Sequence, residues 1–286
     1  MKVNDKDMDF DDLLAITNQL KPAKAKKSKE QVWAELELMM EKPIQKQAIV
    51  RTINMRYLRV AASIALLISF GTLAVFRFYT KNVVCLAGDQ TMAYLPDGSV
   101  VQLNAKSSLS FHPLWWKMKR EVNLNGEGFF KVKHGEKFTV VSSLGTTSVM
   151  GTSFNIFARD NDYEVTCLTG KVRVLSLINK KEVIITPNQM VVLNNTGNLD
   201  ANLNVNAKLA VNWTEGKFVF TQKPLNKVLA EIARRYGVEI QNTDNLNQLY
   251  TGNFSKQKDV ETTLAIICKT FDLEYKKLPS GAFIMQ

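Results

Sequence analysis

Residues 60–76 read VAASIALLISFGTLAVF, a run of 17 residues without a charged side chain. As an α-helix at 1.5 Å per residue this run covers about 25 Å, and it can extend through Tyr79 if Arg77 reaches back to water. Charged residues bracket the run, which favours a membrane span over the buried helix of a soluble domain. We predict a transmembrane helix at residues 60–79, with a short segment before it and a long one after it.

Basic residues near the two ends of the span predict its orientation. The N-terminal flank contains Lys42, Lys46, Arg51, Arg56 and Arg59, whereas the C-terminal flank contains only Arg77 and Lys81. Flanks rich in lysine and arginine stay in the cytoplasm. Residues 1–59 are therefore expected inside, and residues 80–286 outside.

The composition excludes several classes of protein. The 286 residues are 45% apolar and 22% charged, which is typical of globular domains and not of a wholly disordered or polytopic membrane protein. The net charge of +10 is spread thinly, with +3 in residues 1–59, +1 at Arg77, +4 in residues 78–212 and +2 in residues 213–286. No concentrated basic surface results, so direct nucleic acid binding is not predicted.

Few side chains are available for catalysis or metal binding. The chain has two histidines and three widely separated cysteines, with no CxxC pair: His112, His134, Cys85, Cys167 and Cys268. This pattern excludes a zinc ribbon, a multi-histidine metal site and a histidine-based catalytic triad. We therefore expect no enzyme, no cofactor and no metal site.

The N-terminal 59 residues are predicted to be a short helical segment. Apolar residues recur at helical spacing between Met8 and Leu20, and a lysine-rich linker follows. A second helix begins at Ser28, since Ser28 and Gln31 have the spacing of a capping box, and Pro43 ends it.

The second helix carries an apolar stripe. Val32, Leu36 and Met39 lie on one face, with Trp33 and Met40 beside them. A segment this short has little core of its own, so we expect the stripe to bind a partner or to order on binding one. The alternative is a spacer helix that leads into the membrane.

Residues 83–195 show the pattern of an all-β domain. Segments with alternating apolar residues follow one another, and turn signals such as Pro96-Asp97-Gly98 recur about every 8–12 residues. We predict a β-sandwich or roll, in which Gly126 and Gly170 mark bulges or close backbone approaches. The polar, asparagine-rich residues 196–212 are expected to be a linker.

Residues 213–286 are predicted to form a small α+β domain. Its two helices, Pro224–Tyr236 and Asp259–Phe271, belong to a doubled strand–helix–strand unit. The apolar residues of the first half match those of the second at a constant offset of 35. The matched pairs are Leu225 and Val260, Leu229 and Leu264, Ile232 and Ile267, Tyr236 and Phe271, Val238 and Leu273, and Ile240 and Tyr275.

Five motifs follow one another in the outer part of the chain. They are residues 94–99 (YLPDGS), 126–132 (GEGFFKV), 138–140 (FTV), 150–155 (MGTSFN) and 170–174 (GKVRV). Their order closely resembles the periplasmic domain of the FecR-type anti-sigma factors, and Phe129, Phe130, Phe154 and Val172 are the core candidates among them. Residues 213–275 resemble the C-terminal domain of the large branch of that family, whose fold is similar to the short N-terminal domain of secretins and TonB-dependent transducers.

The resemblance implies a role in transmembrane signalling. The inner segment would hold an extracytoplasmic-function (ECF) sigma factor at an interface formed by Val32, Trp33, Leu36 and Met39. The outer domains would contact the periplasmic signalling domain of a TonB-dependent outer-membrane transporter. Envelope and intramembrane proteases would then release the inner segment.

The same resemblance implies an inner (cytoplasmic) membrane location, with the N-terminus in the cytoplasm and the C-terminus in the periplasm. The alternative function is a membrane-anchored periplasmic β-domain for envelope assembly or glycan binding, without a sigma partner.

The pair Gly151-Thr152 suggests a self-cleavage site. A threonine hydroxyl can attack the preceding carbonyl when the peptide is strained, which gives an N→O acyl shift and chain scission. Some members of the resembled family cleave themselves at a Gly-Thr pair of this kind. The alternative is a bulge at which only glycine fits.

Overall fold

The computed structural model describes residues 26–41 and 55–286, together with the isolated positions Leu14 and Thr17. The chain divides into two compact units, Met1–Ala62 and Ser63–Gln286. The predicted helix at Met8–Leu20, apart from those two positions, and the predicted helix stop at Pro43 lie outside the described residues.

Helix α1, Lys29–Met40, is the described element of the inner segment before the apolar run. Its capping box is confirmed, because the Gln31 amide donates to Ser28 Oγ at 3.3 Å and the Ser28 amide donates to Gln31 Oε1 at 3.1 Å. An exposed ion pair joins Lys27, before the cap, to Glu35 in the second turn. No side chain of α1 is buried.

Helix α2, Met55–Phe78, contains the apolar run. Its 24 residues extend over about 36 Å, and by length and composition it can cross a membrane. It begins five residues before the expected span, because residues 55–59 continue the helix, and none of its side chains is buried.

Thirteen strands form a mostly-β domain directly after α2. They are β1 Lys81–Cys85, β2 Thr91–Tyr94, β3 Val100–Leu103, β4 Ser107–Phe111, β5 Arg120–Lys131, β6 Phe138–Val141, β7 Gly145–Val149, β8 Ser153–Arg159, β9 Asp162–Thr169, β10 Val172–Ser176, β11 Glu182–Ile185, β12 Gln189–Leu193 and β13 Leu199–Asn202. The predicted all-β character of this region is confirmed.

The thirteen strands form two sheet regions that share the long strand β5. Residues 120–125 of β5 lie between β4 and β6, in the order β11-β10-β7-β6-β5-β4-β1. Residues 126–131 lie between β3 and β8, in the order β13-β12-β9-β8-β5-β3-β2. Among the pairs within these thirteen strands, only β5–β6 is parallel.

Gly126 lies where β5 passes from one sheet region to the other. Its φ is +110°, and a Cβ on this residue would lie 2.8 Å from the Cα of Ser107. No other residue type fits without moving the backbone of β4. The predicted close backbone approach at Gly126 is confirmed.

The core of the β domain lies between the two sheet regions. Phe130 and Phe154 are fully buried and stack with ring centres 5.0 Å apart. Val172 is also fully buried, and Phe129 is nearly so. Three of the four predicted core residues therefore belong to this core, whereas Phe129 is largely buried outside it, on the opposite face of β5 from Phe130.

Residues 196–212 are not a simple linker, which corrects the sequence prediction. They contain β13, which pairs with β12, and most of a 3₁₀-helix at Ala207–Glu215. The polar composition of these residues is explained by β13, an edge strand whose side chains are mostly exposed. The helix is fixed by Trp213, which is buried although its neighbours are polar.

The C-terminal unit has the predicted doubled strand–helix–strand order. Its elements are β14 Lys217–Pro224, α3 Leu225–Tyr236, β15 Ile240–Gln241, β16 Leu249–Ser255, α4 Val260–Phe271, β17 Tyr275–Lys277 and β18 Phe283–Met285. The strands form two small sheets. The first strands of the two repeats pair as β14–β16, whereas the second strands both flank the final hairpin strand, in the order β15-β18-β17.

Equivalent residues of the repeat form the core of this unit. Leu229 and Leu264 are fully buried, as are Ile232 and Ile267. The 35-residue offset therefore reports two helices that contribute matching stripes to one core.

Replacing Leu264 with alanine should cost about 2–5 kcal/mol of unfolding free energy, since it removes a fully buried side chain. The matched control is Ile266→Ala in the same helix, where the side chain is 41% exposed and the expected change is within about 0.5 kcal/mol. Urea unfolding, monitored by hydrogen exchange of the backbone amides in α3 and α4, measures the unfolding free energy of both variants. Equal effects of the two substitutions would contradict this account of the core.

Candidate functional site

The first candidate site is the apolar face of α1. At 100° per residue, Val32, Leu36 and Met39 fall within about 60° of one another, with Trp33 beside them. All four are exposed, and Trp33 is 59% accessible. Within the described residues, this helix therefore presents a large aromatic side chain and three aliphatic ones to solvent.

The second candidate site is the Gly151-Thr152 peptide between β7 and β8. A Cβ on Gly151 would lie 2.7 Å from the Cα of His134, and a Cβ on Gly170 would lie 2.5 Å from Thr152 Cγ2. The β8–β9 pairing also shifts register between Ser153 and Phe154. These observations favour the interpretation of a crowded, irregular turn at which glycine is sterically required.

The Thr152 side chain has an unusual environment. It is 5% exposed, and among the described residues its hydroxyl has no hydrogen-bond partner. Most buried hydroxyls are hydrogen-bonded. The backbone is held, because the Val132 amide donates to the Thr152 carbonyl at 2.9 Å and the Gly135 amide donates to the Met150 carbonyl at 2.8 Å.

The third candidate site is the junction between the β domain and the C-terminal unit. At its centre the Asn104 amide Nδ2 donates to Glu127 Oε2 at 2.7 Å and to Glu231 Oε1 at 3.0 Å. Asn155 donates to the other oxygen of Glu127 at 3.0 Å. One asparagine therefore bridges a carboxyl group of β5 and a carboxyl group of α3.

Burial and, to a lesser extent, the nearby Glu231 carboxylate together raise the pKa of Glu127 to about 7. Hydrogen bonds from Asn104 and Asn155, and the charge of Arg159, act in the opposite direction. At neutral pH a proton therefore resides on Glu127 in a large fraction of molecules. That proton removes the repulsion between two carboxylates that share one donor.

Ion pairs surround this centre. Three basic side chains of the C-terminal unit meet three acidic side chains at the β8–β9 turn: Lys223 and Glu164 at 2.8 Å, Lys227 and Asp162 at 2.5 Å, and Arg234 and Asp160 at 3.1 Å. Partial burial limits the solvent screening of the Lys223 and Lys227 pairs. The basic side chains on α3 and β14 are therefore complementary in charge to the acidic side chains on β9 and in the turn before it.

Trp213 closes one side of the junction. Its indole Nε1 donates to Asn155 Oδ1 at 3.2 Å, and Gln90 donates to its carbonyl at 2.7 Å. A cavity of about 570 Å³ lies beside it, lined by Phe157 and Met190 of the β domain and Phe220 of the C-terminal unit, among others. The two domains thus contact through a polar centre, an ion-pair row and a partly apolar cleft.

Sequence reasoning missed this junction. Glu127 belongs to the motif at residues 126–132, and only its burial under α3 gives it a special role. The sequence gives little sign of this role. Glu127 continues the strand alternation of Asn123 and Asn125, which are exposed, so the pattern predicts a third exposed side chain. Within the described residues, no group of three or more His, Cys, Asp or Glu side chains could hold a metal ion.

Comparisons with known proteins give two domain matches. The family model "FecR protein" matches residues 82–173, and "FecR, C-terminal" matches residues 217–281. Two crystal structures of a candidate anti-sigma factor from Parabacteroides distasonis, at 1.65 Å and 2.50 Å resolution, are similar to this chain. Each has a TM-score of 0.66 and 25% sequence identity, and the alignment covers 72% of this chain and 98% of that one. No curated protein matches significantly.

The raised pKa of Glu127 predicts a pH-dependent stability. Between about pH 4.5 and 7 the unfolded chain loses this proton and the folded chain keeps it, so the free energy of unfolding falls as pH rises through that range, by on the order of 1–3 kcal/mol. Glu127→Gln should flatten this part of the profile, whereas Glu182→Gln, at an exposed ion pair, should leave it unchanged. Thermal unfolding of the full chain from pH 4 to 8 measures the difference. An unaltered slope in Glu127→Gln would refute the assignment.

Proposed function

The chain belongs to the FecR-type family of anti-sigma factors, and from that premise we propose that it relays a signal across the inner membrane to an ECF sigma factor. Members of this family are regulators and are not known as enzymes. The observation that carries the proposal is the exposed apolar face of α1 in the segment before the apolar helix.

The sigma factor binds the face formed by Val32, Trp33, Leu36 and Met39. A helix of twelve residues without a buried side chain gains its stability from a partner. Trp33 is the expected anchor, since large aromatic residues dominate the energetics of interfaces. The exposure of all four side chains supports this role.

Helix α2 is the span, and its basic N-terminal flank keeps α1 in the cytoplasm. Regulated proteolysis within the span releases the inner segment together with the sigma factor. The hydroxyl of Thr72 donates to the Ser69 carbonyl at 2.9 Å, next to Gly71. Such bonds compete with the backbone ladder of a helix, and glycine lowers helix stability, so this stretch supports local unwinding by a membrane protease.

The signal enters from the periplasm through the signalling domain of a TonB-dependent outer-membrane transporter. Strand addition to the C-terminal unit is the proposed mode, because β15, β16 and β17 each pair on one edge only among the described residues. The junction at Glu127 and Glu231 then carries the change to the β domain. Envelope proteases act on the outer part once it is displaced.

Self-cleavage at Gly151-Thr152 is a further proposed step. Thr152 Oγ bonds to the Gly151 carbonyl carbon, the Gly151–Thr152 C–N bond breaks, and the nitrogen takes up the hydroxyl proton. Water then hydrolyses the ester and leaves a Gly151 carboxylate and a free Thr152 amine. The buried Thr152 hydroxyl, which has no hydrogen-bond partner among the described residues, supports this chemistry.

Trp33→Ala should weaken sigma-factor binding by about 2 kcal/mol or more and raise transcription from the target promoter. Leu38→Ala is the matched control, since Leu38 is an equally exposed apolar residue on the opposite face of α1. Co-purification of the sigma factor with each full-length variant is the measurement. Retained binding in Trp33→Ala, or equal loss in both variants, would count against this interface.

The proposed orientation predicts the outcome of protease digestion. In intact spheroplasts, protease added outside should remove residues 80–286 and leave a fragment that contains residues 1–59. Antibodies against tags at the two ends of the chain identify the fragments. A protected C-terminal tag with a digested N-terminal tag would reverse the topology.

Self-cleavage predicts that the freshly expressed chain gives two fragments on a denaturing gel. One fragment ends at Gly151, and the other begins at Thr152. Thr152→Ala should give one intact band because the nucleophile is gone. Thr152→Ser keeps a hydroxyl and should still cleave. The same two bands in Thr152→Ala would exclude this mechanism.

A further inference from the structure

The loop between β4 and β5, residues 112–119 (HPLWWKMK), lies next to the end of the apolar helix. The Arg77 guanidinium is 5.6 Å from the centre of the Trp115 ring. His112 Nδ1 is within 3.2 Å of both the Tyr79 carbonyl and the Thr80 hydroxyl. The last turn of α2 and this loop are therefore in direct contact.

The chain provides no spacer between the helix and the β domain. Only Tyr79 and Thr80 separate α2 from β1, and the step from Phe78 to Lys81 spans about 10 Å at most. Strand β1 also starts beside the loop, because Lys81 pairs with Phe111 at the end of β4. If α2 spans a bilayer, this end of the β domain must lie at the depth of the lipid headgroups.

A buried tryptophan fixes the loop in place. Trp116 is buried and packs edge-on against Phe111 and Phe138, with ring centres 5.7 and 5.9 Å away. Trp115 is only half-buried, and its carbonyl accepts the amide of Met118 at 3.0 Å. The anchored turn consequently holds its remaining side chains outward.

Those outward side chains have the composition of a membrane-interface anchor. Met118 is 74% exposed and Leu114 is 43% exposed, and the basic Lys117 and Lys119 flank Met118 on the surface. Apolar and tryptophan side chains with lysines beside them suit the boundary between acyl chains and anionic headgroups. An exposed apolar patch of this kind marks a binding surface.

We infer that the loop at residues 112–119 docks on the outer surface of the bilayer, with Leu114, Trp115 and Met118 inserted at the lipid interface and Lys117 at the headgroups. This inference rests on the proposed membrane span. Docking holds the β domain against the membrane and limits its rotation about α2. The C-terminal unit contacts the opposite end of β1, near Gly88, and so points away from the lipid.

The test uses the full chain in nanodiscs of phosphatidylethanolamine and phosphatidylglycerol. An environment-sensitive fluorophore is attached at Met118→Cys and, as a control, at Ile266→Cys, an exposed apolar position on the C-terminal unit. The three native cysteines are buried in the folded chain and react poorly. Bromine-labelled lipid should quench the label at position 118 by about twofold or more and leave that at position 266 unchanged.

The outcomes distinguish a failure of the loop docking from a failure of the proposed membrane span. If the chain enters nanodiscs and position 118 is quenched no more than position 266, the loop does not dock, while the span stands. If the chain fails to enter nanodiscs, the proposed span itself is wrong and the docking falls with it. Reduced quenching at position 118 after Lys117→Glu would further assign the contact to anionic headgroups.

Discussion

The sharp bend in strand β5 is the constraint on which the β domain depends. Twelve residues of straight strand would span about 40 Å, yet Arg120 at its start donates to the carbonyl of Lys133, just past its end, at 3.0 Å. A parallel strand pair normally requires a long crossover, but six residues connect β5 to the parallel β6. The bend makes this possible because it returns the chain to the start of β5. Gly126 allows the bend, because its φ of +110° suits glycine and a side chain there would collide with the backbone of β4.

The residue after the bend links the two domains. The Glu127 side chain lies on the outer face of β5, away from the core of the β domain, and α3 covers it. Asn104 donates hydrogen bonds to both Glu127 and Glu231. A buried pair of carboxyl groups is stable only with a proton or a donor between them. The ion pairs at the β8–β9 turn add orientation, because Lys223, Lys227 and Arg234 of the C-terminal unit each pair with an acidic residue of the β domain. A partner that displaces α3 would expose Glu127 and change its charge state.

The two ends of β1 have different environments. Its first residue follows α2 almost directly and lies beside the loop at residues 112–119. Beyond its last residue, the Gly88 amide donates to the Arg234 carbonyl at 2.8 Å in the C-terminal unit. One short strand therefore connects the helix end to the domain junction. A displacement at the junction has a direct covalent and hydrogen-bonded route to the end of α2.

The sequence determined the features that depend on local pattern. The apolar run predicted α2, the Ser28 and Gln31 spacing predicted the start of α1, and the 35-residue offset predicted α3 and α4, because periodicity and capping are properties of neighbouring residues. The sequence could not determine which strands pair, so the two small sheets and the structured residues 196–212 were missed. Nor could it reveal the Glu127 centre or the contrast between Trp115 and Trp116. Burial of a polar residue or an aromatic one is set by elements distant in the chain, and only the tertiary structure brings those elements together.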